Sequence, residues 1–240
     1  MSTADKQVKE PELPKKQVSG KALGRLAKAR DAIAATKRVL NFGAGNQMEA
    51  IGATKMNSNF RLKAMREPSY WTLAPDVQQL AQENPEALVA AQADLVHGGN
   101  CGEHAYIAYD YLRRHAKGEH IAYVYSTIDH CFVHIGDKDR ESAAEVAVSD
   151  PWPTQATACL WEDHFCFTTD VQIDASMKAD GKSLKGAIAH GLRLSEEGKA
   201  AAAAKATDAE THEALLNRKE NHFWQQPDTA DEGKKFHYTK

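Results

Sequence analysis

A Gly-Gly pair at 98–99 interrupts helical patterning and opens onto the most ordered stretch of the chain. Behind it the spacing predicts a helix over Cys101–His115, then strands over His120–Ser126, His130–Ile135 and 145–150. The last two strands are joined by the polar turn GDKDRES, which makes them an antiparallel pair. Within the helix, Cys101, Ala105, Ala108 and Leu112 recur at i, i+4, i+7 and i+11. That line is a narrow apolar face that must pack on a sheet. The pattern therefore specifies an α+β domain with a central antiparallel sheet and a helix laid against it.

The flanks read as helical additions at both ends. Residues 1–19 contain Pro11, Pro14 and few apolar side chains, so they are expected to be a flexible tail ahead of a single domain over 20–240. A helix is predicted over 21–40, stopped by Gly43 and Gly45, with a second around 61–66 ended by Pro68. Two short helices, 75–82 and 85–95, each open on a proline, and Asn84 is a candidate cap. Residues 159–168 are a candidate strand, and the remainder reads as a helical tail, clearest at 200–204 and 210–219.

Several classes are excluded. No run of about 18 apolar residues exists, so no transmembrane helix is expected, and the N-terminus has no apolar core of the secretory-signal type. Four cysteines, unevenly spaced, do not make a disulfide scaffold. The net charge of −3 conceals ten Lys/Arg against four Asp/Glu in residues 1–40. This basic segment is either a solvated helix or a surface for weak membrane contact through 21–40. The acidic remainder repels phosphate, and no nucleic-acid module is present.

Three segments, GGNCGEHA, DHCFVHIGD and VAVSDPW, supply a cysteine, a histidine and an aspartate in that order. Thiol acyl chemistry needs these three: a thiolate to attack a carbonyl, an imidazole to carry the proton, and a carboxylate to orient the imidazole. Cys101 opens a helix, where unpaired amides and the dipole favour a thiolate. Gly98 and Gly99 suit close approach of backbone amides to an oxyanion. A lone buried cysteine also serves as a small hydrophobe.

With the turn centred near Arg140, His130 faces Asp150, Phe132 faces Val148 and His134 faces Val146, all on one side of the sheet. That side is expected to meet the Cys101 helix. His130, at the strand mouth, is the expected base, and His134 the core histidine. Asp150 is either the orienting carboxylate or a turn residue before Pro151. Asn100, Gln47 and Asn46 are candidate oxyanion donors. Trp152 and Trp161 either wall the cleft or pack in the core. A zinc site from Cys101, His104, His130 and His134 is not expected, because four strand residues span about 13 Å. No metal or cofactor motif is found.

A cysteine opening a helix after a Gly-rich turn, then D-H-x-F-V-x-I-G, then a strand ending D-P-W, resembles the papain-like Cys-His-Asp enzymes over residues 98–152. Within them it is most similar to the cysteine proteases and glutamine deamidases among bacterial virulence effectors and toxins. The resemblance implies a papain-like core. It also implies Cys101 as nucleophile, His130 as base and Asp150 as orienter, acting on amide bonds of a protein substrate. Delivery into a host cell by a type III-like route would then suit the polar N-terminus. Transglutaminase-like enzymes and arylamine N-acetyltransferases share the residue order, though His97 stands where the latter usually carry Arg. A non-catalytic scaffold built on helices 21–40 and 200–220 is the reading from a different class.

Overall fold

The computed structural model describes residues 13–225 and 234–240. Strand β1 (Lys15–Gln17) leads into α1 (Gly20–Val39), capped by Ser19, whose side chain accepts the Ala22 N–H at 3.0 Å. A helical lobe follows: α2 (Met48–Thr54), α3 (Asn57–Arg66), the short strand β2 (Trp71–Leu73), α4 (Pro75–Glu83) and α5 (Pro85–Val96). Both prolines stand in first turns, where the missing N–H costs nothing. Asn84 does not cap with its side chain; its amide donates back to the Leu80 carbonyl.

Helix α6 (Cys101–His115) and strands β3 (His120–Ser126) and β4 (His130–Ile135) run as the pattern predicts. Next come β5 (Ala147–Ser149) and β6 (Cys159–Leu160). The candidate strand at 159–168 is this two-residue strand followed by a 3-10 turn at Trp161–Asp163. The expected helical tail is only partly helical. It contains β7 (Val171–Lys178), α7 (Leu184–Gly191), β8 (Leu192–Leu194), α8 (Glu196–Ala203), α9 (Asp208–Leu216) and β9 (His237–Thr239). In β7, half-buried Val171, Ile173, Ala175 and Met177 alternate with exposed polar neighbours, the period-2 signature of an edge strand packed on one face.

The architecture is mixed α+β. Its main sheet is antiparallel with strand order β6-β5-β4-β3-β7, and two small pairs, β2-β8 and β1-β9, stand apart. The β4–β5 register differs by two residues from the expected one: His134 pairs with Val148. An even shift keeps every side chain on its expected face.

The layering does not follow expectation. Ala105, Ala108 and Leu112 of α6 pack with Cys131, Val133 and Ile135, the opposite face of β4 from His130, Phe132 and His134. Phe132 and Val148 are covered instead by Trp161 and Cys166. All six residues of β4 are buried because both faces are apolar, so this is a central strand roofed on two sides.

Gly98 and Gly99 are required by packing. A Cβ on Gly98 would stand 2.5 Å from Arg61 Cβ and 2.8 Å from its carbonyl carbon, and one on Gly99 would meet Glu103 Cβ at 2.3 Å. Gly98→Ala must displace the α3 backbone. We expect it to cost about 1–3 kcal/mol, read as a lowered denaturant midpoint.

The basic segment is a core helix. Arg25 is 3% exposed and bonds Glu119 and Glu141 at 2.9 and 2.8 Å; Lys28 pairs with Glu119, and Lys21 with Glu141. Much of the cationic character counted in the sequence is thus neutralised within the fold. No helix among the described residues is long and apolar enough to cross a membrane.

The expected tail boundary at residue 19 requires correction. Residues 1–12 lie outside the described residues, but β1 pairs in parallel with β9, and Lys16 contacts Glu162 and Asp163, each at 2.6 Å. Deleting residues 1–19 removes this strand, the ion pairs and the α1 cap. A loss of about 2 kcal/mol, or roughly 4–8 °C in Tm by calorimetry, is expected.

Candidate active site

The N-terminus of α6 is built before any chemistry is asked of it. The Gly98-Gly99 turn lies against α3, and the Gly99 carbonyl accepts the Gly45 N–H at 3.0 Å, drawing in the 43–47 loop. The Asn100 N–H donates to Glu103 Oε2 at 2.7 Å, and Arg66 grips Glu103 through two bonds of 2.9 and 3.0 Å. Cys101 is half-buried at this end, its Sγ 3.9 Å from the Asp129 carbonyl oxygen.

His130 reaches Cys101 from the opposite face because it is the first residue of β4, at the strand end where α6 begins. The connection from β3 is only Thr127-Ile128-Asp129, with Asp129 in the left-handed region (φ 61°) and its N–H on the Ser126 carbonyl at 3.0 Å. His130 Nε2 lies 2.7 Å from Asp150 Oδ2, and both residues are 3% exposed. The carboxylate can only accept, so Nε2 carries the proton and Nδ1 is left for the thiol.

Asp150 directly follows β5, and Pro151 turns the chain away. Its Oδ1 accepts the Trp152 N–H at 3.2 Å. Its Oδ2 accepts a second imidazole, His164 Nε2, at 3.2 Å. The Cys166 N–H donates to His164 Nδ1 at 3.2 Å, so His164 holds its proton on Nε2.

The electrostatics follow from burial and these bonds. Burial disfavours the His130 charge, but Asp150 and Cys101 beside it raise its pKa to about 10. Burial likewise opposes the Asp150 charge, yet His130 and His164 hold it well below the usual carboxylate range. His164 is pushed down by burial and stays neutral. For Cys101, a hydrogen bond with Cys131 and burial push the thiol up, while His130 pulls it down. The same bond with Cys101 lowers Cys131. The lowering expected from a helix N-terminus alone is thus opposed by Cys131 and burial.

The other candidates are distributed as follows. The Trp152 ring lies tilted against His130 with centroids 4.8 Å apart, and its Nε1–H donates to Asn46 Oδ1 at 2.8 Å, so Asn46 orients a wall of the site. Gln47 is 1% exposed, and neither atom of its amide finds a partner among the described residues. Asn100 Oδ1 is also buried and unpaired. Trp161 packs against Phe132 and His134, in the core beneath the sheet.

Cys101, His104, His130 and His134 are not brought together. His104 Nδ1 is engaged by the Asn100 carbonyl at 2.7 Å, and His134 is enclosed by Phe132 and Trp161, with neither nitrogen finding a partner among the described residues. Among the described residues, ligand-type atoms of His130, Asp150 and His164 lie within 4.8 Å of one another. There both N–H groups already converge on one carboxylate oxygen, which makes it a proton-ordered network. Sequence reasoning misses His164 and Cys131; neither has a spacing signal, because contacts across the sheet bring them in. Comparison with protein-family models, curated proteins and solved structures finds no match to this chain.

Proposed function

We propose that the protein is a thiol hydrolase of amide bonds in a protein substrate, built on a papain-like core, with Cys101, His130 and Asp150 as its triad. The observation that carries this reading is the single His130 ring, bonded through Nε2 to a buried carboxylate at 2.7 Å while contacting the Cys101 thiol.

In the resting site His130, its pKa raised to about 10, already carries the Cys101 proton on Nδ1, and in the first half-reaction the thiolate attacks the amide carbonyl. The oxyanion faces the N–H groups at the start of α6, and the unpaired Gln47 amide is the candidate second donor. The His130 imidazolium then protonates the leaving nitrogen, giving ammonia from a glutamine side chain or an amine from a peptide bond. Water, deprotonated by His130, releases the thioester as a carboxylic acid and restores the thiol. An amine replacing that water would give acyl transfer. Within this reading the chain acts as a bacterial effector or toxin, exported by a type III-like route into a host cell.

Iodoacetamide titrated against pH, with peptide mapping, tests the activation. Cys101 is the partly exposed thiol of the four, and in the triad reading the pull of His130 outweighs the upward push of burial and Cys131, so it is expected to alkylate well below pH 8 and ahead of the buried Cys131, Cys159 and Cys166. Labelling no faster than at those three favours the scaffold reading. Incubating wild type and Cys101→Ala with candidate substrates, followed by mass spectrometry, separates amide-to-acid conversion from backbone cleavage and from acyl transfer.

A further inference from the structure

We propose that His164 is a positioning residue for the catalytic dyad: a neutral imidazole that locks the Asp150 carboxylate, and through it the His130 ring, in the orientation that serves Cys101. The inference rests on the triad reading and extends it to a fourth side chain.

The geometry is specific. Asp150 Oδ2 accepts N–H groups from two imidazoles, at 2.7 Å from His130 and 3.2 Å from His164, and Oδ1 accepts the Trp152 N–H at 3.2 Å. A carboxylate held at both oxygens cannot rotate about its last bond without breaking a bond in a dry site. His164 is itself held: the Cys166 N–H occupies Nδ1, and rings of Phe132 and Phe165 lie 4.5 and 4.4 Å away. That backbone donor rules out the Nδ1–H tautomer, so His164 cannot turn from donor to acceptor.

The other charged or titratable groups around Asp150 are Lys37 of α1, His104 of α6 and Cys159 of β6. Lys37 Nζ is engaged by the Pro153 carbonyl at 2.7 Å, and His104 by the Asn100 carbonyl. Among the described residues only His130, His164 and the Trp152 amide donate hydrogen bonds to the carboxylate. Loss of one donor leaves a buried anion less satisfied and free to swing, which weakens its hold on the imidazolium facing the thiolate.

The test compares wild type, His164→Leu and His164→Gln by the pH dependence of Cys101 alkylation with iodoacetamide, with thermal melting to confirm folding. Leu fills the volume without a donor; Gln places its amide nitrogen near the imidazole Nε2. We expect His164→Leu to slow alkylation at pH 6 by about tenfold and move its midpoint toward that of an ordinary thiol. His164→Gln should stay within about threefold of wild type. A folded His164→Leu with the wild-type profile overturns the positioning role while leaving the triad standing. Wild type that itself titrates like a free thiol overturns the triad reading, and this proposal with it. Should His164→Leu not fold, nitrogen-15 NMR of the wild-type imidazoles decides: a neutral His164 protonated at Nε2 supports the role, and an imidazolium or Nδ1–H tautomer overturns it.

Discussion

Asp150→Asn is expected to lower turnover by about 10²–10⁴ and, unlike a substitution of a simple turn residue, to destabilise the fold as well. The Asp150 oxygens face N–H donors on both sides: Trp152 at Oδ1, His130 and His164 at Oδ2. An asparagine must aim its own NH2 at one of those sides. If it faces the imidazoles, His130 can accept only by moving its proton to Nδ1, the wrong tautomer for taking one from the thiol. His164 cannot follow, because Nδ1 is already used by Cys166. A donor left opposite a donor in a buried site costs about 1–3 kcal/mol. Cys101→Ser and His130→Ala should each abolish turnover while preserving a cooperative melt. Wild-type turnover by Asp150→Asn would reduce Asp150 to a turn residue, and near-normal turnover by Cys101→Ser would remove the catalytic reading altogether.

Acidification from pH 6.5 to 4.5 is expected to remove about 5 kcal/mol of folding stability, enough to unfold many domains of this size. His104 and His134 are fully buried, and burial lowers both pKa values from 6.5 to about 3. A group whose folded pKa is depressed leaves the protein stable above its unfolded value and costs stability as the pH falls below it. Each such group contributes about 1.4 kcal/mol per pH unit in that window, so the pair gives a slope of roughly 3 kcal/mol per unit, to which His164, also pushed down by burial, adds. His130 runs the other way: raised to about 10, it adds stability that is complete below pH 6.5 and lost as the pH rises toward 10. Stability should therefore peak near pH 6.5. Urea midpoints across pH 4–9 check the curve. His134→Leu should lower the acid slope by roughly a third to a half, since it removes one of the three histidines that burial pushes down. An unchanged slope would place the acid sensitivity elsewhere.

The stretch from Cys101 to Ile135 is legible because its signals are local: a Gly-Gly break, a 3.6-residue apolar line, then β-branched and aromatic runs. The edge strand β7 is also written plainly, as VQIDASMK, although the surrounding Ala-rich helices suggest a helical tail. The layering is harder. In HCFVHI both alternating sets are apolar enough to be buried, so periodicity alone cannot say which set meets α6. The three-residue strands β1, β2, β8 and β9 exist through their partners and have no length in which to show a period. The site divides similarly. Cys101, His130 and Asp150 stand in recognisable contexts, whereas His164 and Cys131 join through contacts made only once the sheet has formed.

The pairing of β1 with β9 has a consequence for when the site can be finished during synthesis. Tyr238 donates its hydroxyl proton to Asp163 Oδ2 at 2.9 Å and accepts the Leu160 N–H at 3.2 Å, while Lys16 bonds the same Asp163 oxygen. Asp163 is the residue immediately before His164. The segment that presents His164 to Asp150 is thus tied down by side chains from positions 16 and 238, separated by nearly the whole described chain. A nascent polypeptide with Cys101, His130 and Asp150 already outside the ribosome still lacks this clasp until Tyr238 emerges. A truncated translation product would carry Cys101, His130 and Asp150 without this clasp on the segment that bears His164.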